Sequence, residues 1–212
     1  MMKNILVVLI IIGGFSLAKA QVNAITETGE EVVLFENGTW KFLNPEQNKS
    51  TIVETNPTHF FKSEASTFLL KSKKVNVGIY LNPKKWSFNK AENNPDAEYE
   101  LQMKNSDLYA VVITERMNMP LQSLREVAVS NAKSVAPDIR IVKEEYRIVN
   151  GIKVLLLVMY GTMQGMEFFY YSYYFSSNNG VVQLITYSGQ NLFNEYKNDC
   201  EEFLNGFVQF EE

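Results

Sequence analysis

Over much of the second half of the chain, apolar and polar positions fail to alternate. FFYYSYYF (168–175) is aromatic throughout except for Ser172, VLLLVMY (154–160) is apolar at both parities, and so is LYAVVI (108–113). In a strand, successive side chains point to opposite faces, so runs of this kind predict a sheet covered on both sides. Each ring buries ~150–250 Å², so one wet face of 168–175 would expose roughly 450–1,000 Å². The largest apolar patch of a typical soluble monomer is about 300–600 Å². The rings are therefore expected in the core.

Strands are predicted over 67–71, 75–81, 98–104 and 108–115, and a helix follows Pro120. Its apolar stripe is Leu121, Leu124, Val127, Ala128, Ala132 and Val135, and Pro137 ends it. Four strands come next, at 139–149, 152–162, 166–176 and 181–188. Their joins, Asn150-Gly151, Gln164-Gly165 and Ser177-Asn178-Asn179-Gly180, are too short for a parallel crossover, so they form an antiparallel meander. A last amphipathic helix over 192–207 turns Phe193, Tyr196, Cys200, Phe203, Leu204 and Phe207 inward.

The first half reads differently. In AITETGEEVVLFENGTWKFL (24–43), strands near Ile25 to Thr28, Val32 to Phe35 and Thr39 to Leu43 turn at Gly29 and at Asn37-Gly38, the latter as a two-residue type I′ turn. Three strands of this length are barely enough for independent stability. Residues 45–66 are polar and proline-containing and read as a linker. The expected organisation is a hairpin unit at 21–44, that linker, and one domain over 67–212.

The segment GIYLNPKKW (78–86) resembles the strand-then-Pro-x-x-Trp opening of PsbP-like domains. The later order is also similar: a helix, NG-linked strands over 140–159, the aromatic strand, GVVQLITYSG, and a closing helix ending FLNGF. The resemblance spans about 67–210. It implies an α+β fold, an antiparallel sheet sandwiched between helices, and a binding or accessory role without catalysis. It carries no functional residue to this chain. ITETGEEVVLFENGTWKF is similar to a short hairpin unit of exported Bacteroidetes-type proteins.

Residues 1–20, MMKNILVVLIIIGGFSLAKA, have the pattern of a cleaved secretory signal. Lys3 precedes the apolar run Ile5 to Ile12, and Ala18 and Ala20 stand at the positions a signal peptidase reads, leaving Gln21 first. The run is shorter than the ~20 residues that cross a bilayer, so no stable membrane insertion is expected after its removal. Its loss removes Lys3 and Lys19 and takes the net charge from −4 to −6. An acidic chain with scattered basic residues is a poor partner for nucleic acid. A single cysteine forbids an internal disulfide, which suits a periplasmic or otherwise secreted bacterial protein held by packing alone.

Chemistry is sparse. Cys200 lies on the apolar face of the last helix, where a thiolate is disfavoured, and reads as structural. His59, the one histidine, stands in the polar segment with nothing to orient it. One of each leaves no zinc site of the usual ligand count. Asp96, Glu98 and Glu100, like Glu144 and Glu145, read as solvated charges guarding strand edges, with Glu98 and Glu100 on one strand face. No catalytic residue, metal site or cofactor is expected. The binding candidates are Trp40, Trp86, Tyr170 and Tyr174, with Trp86 read also as a cap over the sheet end. The sequence thus points to an exported, non-catalytic accessory protein that contacts an envelope protein. Its alternative is a carrier of a small apolar or aromatic ligand between sheet and helix, beside Tyr170 to Tyr174.

Overall fold

The computed structural model describes residues 22–25, 31–35, 38–43, 53–91 and 94–210. The signal-peptide reading, with Ala20 and Gln21, falls outside these residues, as does the polar stretch 44–52. The first sheet is small: β1 (Val22–Ile25), β2 (Glu31–Leu34) and β3 (Trp40–Phe42) pair antiparallel in that order. The join of β2 to β3 is not the two-residue turn expected. Phe35 N–H donates to Thr39 O and Gly38 N–H to Phe35 O, with Gly38 at φ 78°. That is a three-residue loop whose last position needs glycine.

The remaining strands are β4 (Thr55–Phe60), β5 (Phe68–Lys71), β6 (Val77–Leu81), β7 (Trp86–Lys90), β8 (Ala97–Met103), β9 (Tyr109–Glu115), β10 (Arg140–Val149), β11 (Ile152–Met163), β12 (Met166–Ser177), β13 (Gly180–Gly189) and β14 (Phe207–Gln209). Helix α1 (Leu121–Val135) joins β9 to β10, and α2 (Phe193–Leu204) follows a 3-10 turn at Gln190–Leu192. An eight-stranded sheet runs β4-β10-β11-β12-β13-β9-β8-β7, and a three-stranded one runs β14-β6-β5. The meander β10 to β13 is antiparallel as expected. The large sheet is nonetheless mixed, because β4 lies parallel to β10.

Three strands escape the sequence pattern. Strand β4, TNPTHF, occupies part of the presumed linker; its Pro57 and polar side chains are tolerable because it is an edge strand. It is held by main-chain bonds from Tyr146 N–H to Glu54 O and from Asn150 N–H to Phe60 O, both 2.9 Å. Strand β7 is the opposite edge, and four of its five residues are exposed. Strand β14 takes the place of the last turn expected of the closing helix. The chain after Leu204 passes so close to β6 that a Cβ on Gly206 would sit 1.9 Å from Tyr80 O, and Tyr80 N–H donates to Gly206 O at 2.8 Å. Phe207 therefore pairs with Ile79 as a strand residue and is 1 % exposed.

The two faces of β12 feed two separate clusters. Phe169, Tyr171, Tyr173 and Phe175 join Val154, Leu156 and Val158 of β11, the inner face of α2 and the β14-β6-β5 sheet. Tyr174 joins Leu155, Leu157 and Met159 beneath Leu124, Ala128 and Ala132 of α1, with Phe168 and Tyr170 packed at the margin. One helix thus covers one face, and a helix with a three-stranded sheet covers the other, rather than helices alone. The stripe of α1 is narrower than expected, since Val127 and Val135 are exposed. The two alanines at the contact bring the helix axis close to the strands. Because Tyr174 is 1 % exposed, Tyr174→Ala should cost about 3–5 kcal/mol in chemical denaturation; a loss below about 1 kcal/mol would contradict its placement.

Candidate functional site

Of the sequence candidates, Trp86 and Tyr174 cannot meet a ligand at the surface. Trp86 is 3 % exposed, and its ring packs 4.6 Å from that of Phe203 on α2. The turn before it is closed by Trp86 N–H and Lys85 N–H donating to Asn82 O, both at 3.0 Å. Lys85 clamps α2 through Asp199 and Glu202. Pro-x-x-Trp is thus a helix-docking device, buried rather than capping. Trp40 on β3 is 51 % exposed. His59 is exposed on β4, opposite Ile148. Cys200 is fully buried beneath α2, and burial pushes its thiol up to about 12.

The carboxylates are mostly not solvated edges. A bulge between Ala97 and Tyr99 turns Glu98 inward, away from the face of Glu100. Glu98 is 8 % exposed and accepts from Ser72 Oγ and Thr114 Oγ1, each at 2.6 Å, and from Lys73 N–H at 2.5 Å. Asp96 is exposed, as expected. Glu144 takes a two-pronged contact from Arg125, at 2.5 and 2.8 Å. Glu145 accepts from Arg147 at 2.6 Å, Lys143 at 3.1 Å and Asn56 at 3.2 Å.

Arg147 anchors a buried polar cluster invisible in the sequence. Its guanidinium lies 4.3 Å from the Phe60 ring centroid and donates to Tyr173 Oη at 3.0 Å and Glu201 Oε1 at 3.3 Å. Tyr171 Oη donates to the same Glu201 oxygen, and Tyr173 Oη to Asn205 Oδ1 at 2.8 Å. The hydroxyls of Tyr171 and Tyr173 are thus satisfied inside the core. Burial pushes Tyr173 up to about 12 and raises Tyr171 too, so both stay protonated donors. This cluster ties β4, β10, β12 and α2 together and presents no reactive group to solvent.

An accessible aromatic surface lies elsewhere. Tyr187 on β13 stands opposite both Tyr170 on β12 and Tyr109 on β9. Ring centroids are 6.2 Å and 5.6 Å apart, and Phe168 continues the row 4.8 Å beyond Tyr170. All four are half-buried, as are Ile185, Val111 and Ile113 on the same face. Glu100 on β8 lies opposite Val111. Burial raises the phenol pKa of Tyr170 and Tyr187, with Glu100 adding to the shift at Tyr187. Chemically the row offers flat apolar area, phenol hydroxyls and one carboxylate. It can bind, and it holds no nucleophile–base pair. Of the four binding candidates, Tyr170 alone belongs to it. Tyr109 and Tyr187 were missed because their adjacency arises from cross-strand register.

No protein-family model and no curated protein sequence matches the chain. Among solved structures it is similar to cyanobacterial PsbP (CyanoP) from Synechocystis sp. PCC 6803, with TM-score 0.55 and 12 % identity over 70 % of this chain and 95 % of that one. The fold is PsbP-like. Looser likenesses include a Pseudomonas aeruginosa protein of unknown function, PA94, described as a putative regulator (TM-score 0.45, 10 % identity, 73 % and 100 % covered). Another is LpqN, involved in cell envelope biogenesis of Mycobacterium tuberculosis (TM-score 0.39, 10 % identity, 79 % and 96 % covered). Among the described residues, no helix is long and apolar enough to cross a membrane, and no three His, Cys, Asp or Glu side chains are grouped to hold a metal ion.

Two outcomes follow from this PsbP-like core. Cys200 should resist a thiol reagent at pH 8 in the native protein and react fully in denaturant; rapid native labelling would contradict its burial. The second concerns Glu145: burial alone would raise its pKa, but hydrogen bonds from Arg147, Lys143 and Asn56 outweigh it and hold the carboxyl below its ordinary value. Its stabilisation is therefore complete above about pH 4.3 and fades as pH falls through the lower folded value. Glu145→Gln should flatten the loss of stability on acidification, measured by denaturation from pH 6 to pH 3. An unchanged acid limb would contradict the coupling.

Proposed function

We propose that this chain is an exported, non-catalytic accessory protein that acts by protein–protein contact in the cell envelope. The half-buried row Phe168, Tyr170, Tyr187 and Tyr109 would be its principal contact surface, and this row is the observation that carries the reading. Aromatic side chains dominate interface hot spots because they bring large area at small conformational cost. Glu100 beside Tyr187 favours a partner that brings a basic side chain to the tyrosines, through charge pairing and contact with a ring face. The non-catalytic character rests on where the thiol and the imidazole stand: Cys200 is sealed under α2, and His59 lies exposed on an edge strand. Export rests on the pattern of residues 1–20. Trp40 on the small N-terminal sheet is a second contact. The alternative of a carrier beside Tyr170 to Tyr174 draws no support from the packing there, where Tyr174 fits against Leu124 and Ala128.

In capture experiments from envelope extract of the source organism, wild-type protein should retain a reproducible partner. Tyr109→Ala/Tyr187→Ala should weaken that capture at least tenfold, a hot-spot loss of roughly 1.4 kcal/mol or more, with little change in denaturation midpoint. Equal capture by both proteins would sink the assignment of this surface.

A further inference from the structure

A cleft of about 360 Å³ opens between the β5–β6 turn, the β9–α1 connection and the β12–β13 hairpin. Lys74, Asn76, Arg116, Asn118, Asn178 and Asn179 rim it, over a floor that includes Val75. No carboxylate is among its described lining residues, and neither Lys74 nor Arg116 forms an ion pair among the described residues. We infer that this cleft binds a small hydroxylated molecule bearing a carboxylate or phosphate.

The rim is built on rigid supports. Glu98, buried by its bulge, fixes the β5–β6 turn through Ser72 Oγ and Lys73 N–H. Ser72 Oγ in turn accepts from Lys74 N–H at 3.0 Å and Val75 N–H at 3.2 Å. Arg116 Nε donates to Lys74 O at 2.6 Å, which holds the guanidinium across the turn. Both hydrogen bonds of that guanidinium go to carbonyl oxygens, leaving its charge uncompensated and the rest of its donor fork available. On the opposite wall the hairpin lies hard against the floor. Gly180 sits at φ 153°, and a Cβ there would be 2.4 Å from Glu115 O and from Val75 Cγ1. Glu115 itself points to the other face of β9, since its neighbour Thr114 meets Glu98.

The chemistry selects the ligand. The anchored Arg116 and the exposed Lys74 in an otherwise acidic chain attract an anion, and a guanidinium fork matches carboxylate or phosphate oxygens. Asparagine amides offer donors and acceptors that complement hydroxyl groups. The volume lies in the range of small-molecule sites. This inference does not depend on the tyrosine row, which lies on the other face of the large sheet.

The test is titration calorimetry of residues 21–212 with glucuronate, glucose 6-phosphate and glucose. Either anion, or both, should bind, weakening as salt rises, and glucose should not; which anion binds identifies the source of the charge. Lys74→Gln, which removes a charge from an exposed side chain, should weaken binding about tenfold. Arg116→Lys, which keeps charge but loses the fork, should weaken it as well. Tyr187→Ala should leave it unchanged. Binding of neither anion, binding of glucose as tight as that of the anions, or an unchanged Lys74→Gln titration at an unchanged denaturation midpoint would overturn the inference.

Discussion

The aromatic strand β12 has no side that can be left wet, and this constraint organises the domain. Its odd-numbered rings need one layer and its even-numbered rings another. A helix with only one apolar stripe can serve one face at most. The chain meets the demand unequally. Over the Phe169 side it lays α2 and the whole β14-β6-β5 sheet, and over the Tyr174 side it lays α1 alone. Burying tyrosine in quantity creates a second demand, for hydroxyl partners. Arg147, Glu201 and Asn205 answer it for Tyr171 and Tyr173. The polar cluster is thus a consequence of the aromatic layer rather than a separate device.

The inequality of the two covers explains where a contact surface can exist. A single helix seated on Leu155, Leu157, Met159 and Tyr174 packs over the centre of an eight-stranded sheet. The strands beyond it on that face, β13 and β9, keep Tyr187, Ile185, Tyr109 and Val111 half-buried. On the opposite face the same strands are covered: Ala110, Val112, Val182 and Leu184 are all within the larger core. The proposed contact row thus lies on the thinly covered half of one face, and the proposed anion cleft at the loop end where Glu98 braces the β5–β6 turn.

Two-faced burial and the antiparallel meander were legible because they follow from the parity of apolar positions and the length of the turns. Strand β4 was not, because Thr55–Phe60 owes its conformation to the main chain of β10 rather than to any pattern of its own. The end of α2 was misplaced because Phe207 keeps helical spacing, while the close approach of Gly206 to Tyr80 is a tertiary event. Glu98 looked like a surface charge because a one-residue bulge, which reverses a side chain's face, leaves no local signature. The proposed contact residues were the least legible: Tyr109 and Tyr187 lie far apart in sequence and meet through β9–β13 register. Tyr170 was singled out for its place in an aromatic run of which Phe169, Tyr171, Tyr173, Tyr174 and Phe175 prove to be core.

One residue type divides into two populations, tyrosines that hold the body together and half-buried tyrosines that line one face. Hydroxyl-radical footprinting of the native protein, read residue by residue by mass spectrometry, measures that division directly. Oxidation of Tyr109, Tyr170 and Tyr187 with protection of Tyr171, Tyr173 and Tyr174 is the result expected. Comparable oxidation of both groups, or protection of Tyr109 and Tyr187 alongside the core rings, would contradict it.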